Sequence, residues 1–199
     1  MKITIKPLTP ELAADYFDFF ENRAFTDDSP YRCYCQIYQM NKKEYDAAYA
    51  YAMQDPGGAS REATEQQIAN GALRGYLAYV DGISIGWCNA NDRVNYPAEP
   101  CHDVPFHAPA ETKEIAVVCF EIAPGYRGMG VATALLNRVI DDAKAENYIA
   151  VVSFPEVRAE RCEWDSLGPV RLYEKAGFIK VSEENGKAYM RKELNILEE

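Results

Sequence analysis

The residues best suited to hold a ligand form a glycine-containing turn that follows an apolar run. From Arg127 the order is Arg-x-x-Gly-x-Ala, with Gly128 and Gly130 inside it, and an apolar-periodic segment comes next. Glycine lets the chain turn tightly and bring main-chain N–H groups close to a ligand without interference from a Cβ atom. The free N–H groups of the following helix would face the same point, where the helix dipole favours an anion. The turn therefore predicts a phosphate site.

Two familiar phosphate-binding turns do not describe this segment. The sequence has no G-x-x-x-x-G-K-[ST], and Thr133 stands where the third glycine of G-x-G-x-x-G would be. The turn instead resembles the acyl-coenzyme A turn of the GNAT superfamily, the GCN5-related N-acetyltransferases. Further along, residues 168–178 resemble the last conserved block of that superfamily, a short helix bearing a tyrosine that closes with Lys-x-Gly-Phe into a strand. The resemblance covers residues 74–192.

The resemblance implies a binding site for acetyl-CoA. In the family, the backbone at the end of a strand pairs with pantetheine and with the thioester oxygen, and Phe120, Glu121 and Ile122 match that strand end. The pyrophosphate-binding turn of the family matches Arg127, Gly128, Met129, Gly130, Val131, Ala132 and Thr133. Ser166 stands where the family often has an asparagine that bonds pantetheine, so Ser166 is a candidate for part of that contact.

Acyl transfer to an amine demands few diagnostic side chains, because main-chain groups can position the thioester and stabilise its oxyanion. A proton must still reach the departing thiolate. Tyr173 matches the tyrosine that in many relatives sits near the thioester sulfur and can protonate that thiolate. The alternative for Tyr173 is a structural role, in which its ring packs on the sheet.

The general base has several candidates. A glutamate serves in some relatives, but its position is occupied by Ala116 here. Glu114, two residues earlier on the same strand face, and Glu121, nearer the strand end, are the carboxylate candidates. His102 and His107 in the preceding loop are further candidates. Many members of the superfamily use an ordered water, so a dedicated base is not required.

The six cysteines are interpreted as thiols, and no metal is expected. Cys33 and Cys35 have one intervening residue, where a zinc-binding pair has two to four, and no second close pair follows. A metal site that joins this pair to the thiol and histidines of residues 101–107 is the alternative. Cys119 has apolar neighbours, which raise the pKa of a thiol. Direct transfer in a ternary complex is therefore expected, without an acyl-cysteine.

Composition limits the class of protein. A chain of 199 residues with 48% hydrophobic content is enough for one domain, expected over residues 1–199. There is no apolar run long enough to span a membrane, and the first residues have no signal-peptide core, so a cytoplasmic protein is expected. A net charge of −10 without a basic stripe argues against a nucleic-acid partner and slightly favours a cationic amine.

The elements that must position these residues follow from periodicity and turn residues. The segment from Ile115 to Phe120 is apolar at every position, which is typical of a strand buried on both faces. Asp81-Gly82 between two apolar runs predicts a hairpin. Strands are predicted at 2–6, 74–80, 84–89, 114–122, 149–154, 178–182 and 187–192, helices at 9–22, 42–53, 60–70, 130–146 and 167–176, and a loop at 91–113.

These elements predict the α/β class. The resemblance implies the GNAT fold, a central mixed, mostly antiparallel sheet of about six to seven strands that is flanked by helices and splayed at the acyl-CoA site. Residues 25–72 form a helical segment that is expected to shape the acceptor pocket with loops 91–113 and 154–166. The aromatic-rich residues 31–38 either line that pocket or form a buried plug.

The sequence as a whole predicts an acetyl-CoA-dependent N-acetyltransferase. Its acceptor is expected to be a primary amine of a small molecule. The alternative is a non-catalytic acyl-CoA-binding sensor or scaffold of the same fold. An exposed edge strand near the C-terminus makes a homodimer possible.

Overall fold

A computed structural model describes residues 1–27, 32–52, 58–100, 104–160 and 165–194. Over these residues the chain forms a seven-stranded sheet with α-helices on both faces. The strands are β1 (Thr4–Pro7), β2 (Gly75–Val80), β3 (Ile83–Asp92), β4 (Glu114–Ile122), β5 (Ala150–Ser153), β6 (Ile179–Glu184) and β7 (Lys187–Glu193). The helices are α1 (Ala13–Asn22), α2 (Lys42–Ala52), α3 (Gly58–Ala69), α4 (Val131–Ala145) and α5 (Val170–Lys175).

The sheet is mixed and mostly antiparallel. Its strand order is β1-β2-β3-β4-β5-β7-β6. Among the described strands only β4 and β5 pair in parallel, and helix α4 makes the crossover between them. The predicted fold class and its central strand are confirmed, since β4 occupies residues 114–122 and is buried from Glu114 to Phe120.

The β2–β3 hairpin has the turn that its sequence predicts. Asp81 and Gly82 both adopt positive φ angles of 50° and 82°, as a two-residue type I′ turn requires. Strand β3 continues to Asp92, three residues further than predicted. Its last residues pair with the start of β4, up to Asp92 against Ile115, and this long partner explains the extension.

Two hydrophobic cores lie on opposite faces of the sheet. Helix α4 covers one face with its apolar stripe of Val131, Leu135, Leu136, Val139 and Ala143, all of which are buried. The other face is covered by the aromatic side of α1, namely Tyr16, Phe17, Phe19 and Phe20, together with residues 33–38. A sheet covered on both faces explains why β4 is apolar at almost every position.

Helix α5 begins later than predicted. It starts at Val170 and not at Leu167, because Gly168 has a left-handed φ of 73° and Pro169 is extended. The N–H of Gly168 donates to the carbonyl of Asp165 at 3.1 Å, so residues 165–168 form a turn in front of the helix. This turn faces the end of β4.

Strand β6 lies at the edge of the sheet and pairs with β7 alone. Its six residues are exposed, including Ile179 and Val181. A homodimer through this edge stays a prediction. No helix within the described part of the chain is both long and apolar enough to cross a membrane.

Candidate active site

The sheet opens between its two parallel strands. Pairing of β4 with β5 runs from Glu114 against Ala150 to Val117 against Ser153 and ends there. The register between β3 and β4 shifts at the same point and leaves Val118 without a partner on β3, which is a β-bulge. Because a bulge bends its strand, the end of β4 turns away from β5. Beyond Val117, the β4 edge that faced β5 is available to other groups.

The turn at residues 165–168 fills part of this opening. The N–H of Phe120 donates to the carbonyl of Ser166 at 2.5 Å, in the place where a neighbouring strand would bond. The Ser166 hydroxyl lies 3.4 Å from the hydroxyl of Tyr38 on the opposite face. The carbonyl of Ser166 thus occupies the N–H group of Phe120, which the family resemblance assigns to acetyl-CoA.

A cleft of about 820 Å³ runs from this opening to the N-terminus of α4. Its walls are the end of β4, the glycine turn, residues 156–160 and the start of α5. It is lined by Phe120, Glu121, Ile122, Arg127, Gly128, Gly130, Val131, Ala132, Thr133 and Ser166 among the predicted site residues. Met129 belongs to the same turn but is 56% exposed and does not line the cleft.

The glycine turn has the features of an anion site. Gly128 and Gly130 have φ angles of 77° and 85°, and a Cβ atom added at either would meet nothing within 4 Å. Helix α4 starts directly after Gly130, without a side-chain cap and without an acidic residue in its first turn. Its first N–H groups are therefore left for a ligand, and the helix dipole favours a negative one. The residues present fit a pyrophosphate.

Basic side chains outside the glycine turn also line the cleft. Arg158, Arg171, Lys175 and Lys180 lie along the walls formed by residues 156–160, α5 and β6. Arg171 and Lys175 are four residues apart and so share one face of α5. That spacing was a readable signal, whereas Lys180 reaches the cleft only through the fold. These cations suit the remaining phosphate charges of a nucleotide-like ligand.

Glu121 is a carboxylate at the end of the cleft that β4 forms. The Arg127 guanidinium lies 3.5 Å from it and also forms an ion pair with Asp27. Arg127 Nε donates to the carbonyl of Ile122 at 3.1 Å, which fixes the guanidinium beside β4. Burial raises the pKa of Glu121 to about 7, and Asp27 adds to this effect, while Arg127 opposes it. A carboxyl with this pKa can exchange a proton near neutral pH.

A second carboxyl on the cleft has a raised pKa. Burial and the neighbouring Glu156 raise the pKa of Asp165 to about 6, against the opposing effect of Arg158. Asp165 and Glu156 both line the cleft. Sequence reasoning placed this loop near the acceptor but assigned no role to either residue.

Tyr173 is fully buried behind the opening and does not line the cleft. Its hydroxyl donates to the carbonyl of Leu167 at 2.6 Å and lies 2.8 Å from the hydroxyl of Ser153. Its ring packs against Phe120 and Phe178. Burial raises the pKa of Tyr173 well above its ordinary value, so the phenol holds its proton.

Glu114 lies at the opposite end of β4, roughly 25 Å from the strand's other end. Its carboxylate is 3% exposed and forms ion pairs with Arg93, at 2.6 Å, and with Arg191. Two guanidinium groups occupy its oxygen atoms. The structure therefore gives Glu114 a structural environment, distant from the cleft.

The aromatic segment that precedes α2 forms a buried plug in its described part. Cys35 is fully buried, and Tyr34 and Tyr38 pack against the core beneath α1. The N–H groups of the Asn89 side chain reach the carbonyl of Cys35 at 3.1 Å, which ties the plug to β3. Residues 32–38 do not line the cleft, so among the two interpretations of this segment the described residues favour the plug. Tyr31 lies outside the described residues.

The thiols near the cleft are poor nucleophiles. Burial raises the pKa of Cys33 to about 12, and a hydrogen bond with Cys35 and burial raise the pKa of Cys119.

His107 Nδ1 lies 2.7 Å from the Tyr96 carbonyl, while Cys101 and His102 lie outside the described residues. Within the described ranges, no group of three His, Cys, Asp or Glu side chains is arranged to hold a metal ion.

Known proteins share this fold. The sequence model of the Acetyltransferase (GNAT) family matches residues 34–178. The GNAT domain of S. lividans PAT superposes with a TM-score of 0.58 at 15% identity, covering 96% of this chain and 90% of that chain. Among curated protein sequences, none matches the chain.

Two further solved structures are similar over nearly the whole chain. The PaiA N-acetyltransferase of Thermoplasma acidophilum, in complex with coenzyme A, has a TM-score of 0.57 at 14% identity and covers 97% of this chain and 99% of that one. The acetyltransferase of the GNAT family from Streptococcus pneumoniae has a TM-score of 0.56 at 15% identity, with 98% and 100% covered. At these identities the likeness shows the fold.

Proposed function

Because the chain belongs to the Acetyltransferase (GNAT) family, we propose that it transfers an acetyl group from acetyl-CoA directly to a primary amine of a small molecule. The observation that carries this proposal is the cleft itself. It joins the uncapped N-terminus of α4 to the open edge of β4, where Glu121 has a pKa of about 7. Anion site, main-chain donors and a proton acceptor thus lie along one surface.

The chain would hold the donor from both ends of the cleft. The N–H groups after Gly130 bind the pyrophosphate, and Arg171, Lys175 and Lys180 offset its further phosphate charge. At the other end, the N–H of Phe120 exchanges the carbonyl of Ser166 for an oxygen atom of the donor. Fixed main-chain donors of this kind stabilise the oxyanion that forms during acyl transfer.

Two side chains would move the protons. Glu121 takes a proton from the amine, since its raised pKa makes it a stronger base than an exposed carboxylate and leaves it ionised in part at neutral pH. Tyr173 gives a proton to the departing thiolate. Its hydroxyl must first leave the carbonyl of Leu167, so we propose that the turn at residues 165–168 shifts when the donor binds.

Two features favour a small cationic acceptor. The plug at residues 33–38 covers the sheet beside the opening, which favours an enclosed pocket over an open groove for a protein tail. Asp27 and Glu121 both form ion pairs with the guanidinium of Arg127. Glu121 is ionised in part at neutral pH, and a carboxylate on the cleft attracts an ammonium group.

A non-catalytic acyl-CoA-binding protein of the same fold is the second candidate. The observation that favours it is the position of Tyr173, whose hydroxyl bonds within the protein and does not reach the cleft. A sensor would bind the donor at the same turn and leave amines unmodified. Measurement of turnover separates the two functions.

Calorimetric titration with acetyl-CoA, CoA and succinyl-CoA tests the donor site first. We expect micromolar binding that Gly130→Glu abolishes, because the new carboxylate lies where the pyrophosphate would bind. Gly71→Glu is the matched control, since Gly71 has a similar φ of 75° and open space but lies away from the cleft. Loss of binding in both variants, or no binding by the folded wild type, would contradict the proposal.

Acetylation of a panel of polyamines, aminoglycosides, amino acids and peptides tests the reaction. We expect acetylation of small amines by the wild type. Acetylation of peptides alone would contradict the small-molecule acceptor. Donor binding without acetylation of any compound would favour the sensor.

A further inference from the structure

A buried serine connects the opening of the sheet to the proposed acid. Ser153 is the last residue of β5 and is fully buried. Its Oγ atom lies 2.9 Å from the carbonyl oxygen of Val117 and 2.8 Å from the hydroxyl oxygen of Tyr173. Val117 and Ser153 form the last pair between β4 and β5, so this hydroxyl sits where the two strands separate.

The Ser153 hydroxyl has one proton and two neighbouring oxygen atoms that can accept it. It can donate either to Val117 or to Tyr173, but not to both at once. Tyr173 uses its own proton to bond the carbonyl of Leu167 at 2.6 Å. Val117 and Leu167 offer only carbonyl oxygen atoms, which cannot donate. In the described part of the chain, Ser153 is the only side chain within hydrogen-bond distance of the Tyr173 hydroxyl.

This arrangement becomes important when Tyr173 loses its proton. The phenolate oxygen would be fully buried, and the carboxylate of Asp165 opposes its negative charge. A buried anion without a hydrogen-bond donor is strongly unfavourable. Donation of the Ser153 hydroxyl to Tyr173 supplies that hydrogen bond without any movement of the backbone.

We infer that Ser153 is a positioning residue for the acid step, which donates its hydrogen bond to Tyr173 as the proton leaves. The inference rests on the proposed function. In the step, the Tyr173 O–H bond breaks and the S–H bond of CoA forms, while the Ser153 O–H bond stays intact and donates to the phenolate oxygen. The phenol regains a proton from solvent, and Glu121 returns to solvent the proton that it took from the amine. An acceptor that binds as an ammonium ion releases one further proton from its nitrogen to solvent.

The kinetic test combines Ser153→Ala with Tyr173→Phe. A hydrogen bond to a charged acceptor is worth enough that its loss should lower kcat about 10- to 100-fold. We expect this loss in Ser153→Ala with an unchanged KM for acetyl-CoA, and recovery in Ser153→Thr, which keeps a hydroxyl. In the Tyr173→Phe background, Ser153→Ala should have no further effect. An equal loss of kcat in both backgrounds would mean a merely structural role and overturn the inference.

A spectroscopic test does not depend on turnover. The protein is labelled with 3,5-difluorotyrosine, whose phenol is more acidic than that of tyrosine, and the resonance of position 173 is assigned from its loss in Tyr173→Phe. Ionisation of this group should require a higher pH in Ser153→Ala than in the wild type. Identical titration of the two proteins would overturn the role of Ser153 even if amines are acetylated. A clear shift in a protein that acetylates no amine would keep the contact and count against the proposed function alone.

Discussion

The two ends of strand β4 each carry a glutamate, and the two carboxylates differ in their surroundings. Glu114 is 3% exposed and lies between Arg93 and Arg191, with ion pairs to both. Glu121 is also largely buried, with 18% of its side chain exposed, but its one cationic neighbour among the described residues is 3.5 Å away and is shared with Asp27. The same residue type in the same strand thus has full charge compensation at one end and partial compensation at the other.

The difference shows how charge partners separate a fully paired carboxylate from one whose pKa is raised. At Glu114, desolvation of the carboxylate is offset by two close guanidinium groups, so the group contributes to structure. At Glu121, burial outweighs the single shared arginine, and the pKa rises to about 7. A perturbed carboxyl in a cleft is a candidate for proton transfer, whereas a satisfied ion pair is not.

Replacement of Glu114 is expected to have the largest effect on stability. Glu114→Gln leaves Arg93 and Arg191 partly buried without their common anion, and removing one partner of a buried ion pair costs ~3 to 5 kcal/mol of unfolding free energy. Denaturant-induced unfolding measures this loss. Glu121→Gln is the matched control in the same strand and should unfold at the same or higher denaturant concentration above pH 7. Equal losses of unfolding free energy in the two variants would contradict the difference in charge compensation between Glu114 and Glu121.

Replacement of Glu121 is expected to have the largest effect on turnover. Glu121→Gln removes the proposed base and should lower kcat about 100-fold, within the range of general-base catalysis. Initial rates with the best amine acceptor measure the loss, and calorimetry should find acetyl-CoA affinity within a few-fold of wild type. Glu114→Gln, at a temperature where it is folded, should keep its kcat. A normal rate in Glu121→Gln would assign the base to water.

Titration of Glu121 should affect both kcat/KM and the free energy of unfolding of the wild type. Because a base must be ionised, kcat/KM should rise about tenfold per pH unit below about 7 and level off above it. Stability should change in the opposite sense. The folded pKa exceeds the unfolded one, so the contribution of this group is greatest below about pH 4.5 and is lost as pH rises to about 7. Glu121→Gln should lack both pH dependences.

Replacement of Arg127 should raise the pKa of Glu121 further. Arg127 lowers the pKa of Glu121, so Arg127→Gln should move the acidic limb of the kcat/KM profile to higher pH. The affinity for acetyl-CoA is measured separately, because Arg127 also belongs to the glycine turn. An acidic limb that stays in place would mean that Glu121 does not control it.

Replacement of Asp27 should have the smallest effect and the opposite sign. Asp27 raises the pKa of Glu121 and holds Arg127 in an ion pair. Asp27→Asn removes the repulsion and leaves Arg127 free to approach Glu121, so the acidic limb should move to lower pH by a fraction of a unit. A shift in the same direction as that of Arg127→Gln would contradict this account of the cluster.

Much of the fold could be predicted because local patterns determine it. The apolar run of β4, the amphipathic stripe of α4 and the Asp81-Gly82 turn depend on residues that are close in sequence. The start of α5 was placed three residues early, because the apolar pattern extends to Leu167 while the left-handed Gly168 interrupts the helix. Periodicity describes which face is buried and does not report the backbone angle at one residue.

The candidate site was predicted in part. The residues of the glycine turn and the end of β4 line the cleft, with the exception of Met129. Tyr173 is near the opening, yet its hydroxyl bonds Leu167 and Ser153, which a motif does not reveal. Asp27 was missed because it lies 100 residues from Arg127 in the chain, and no local pattern links the two.

The approximate positions of the strands and helices, the family resemblance and the glycine turn could all be predicted, since these follow from residue types at short spacing. The sequence placed two glutamates on one strand and could not rank them. The folded chain distinguishes the two glutamates, because Arg93 and Arg191 reach Glu114 from 21 and 77 residues away. The pKa of a carboxyl depends on burial and on charges within a few ångströms, and those are properties of the folded chain.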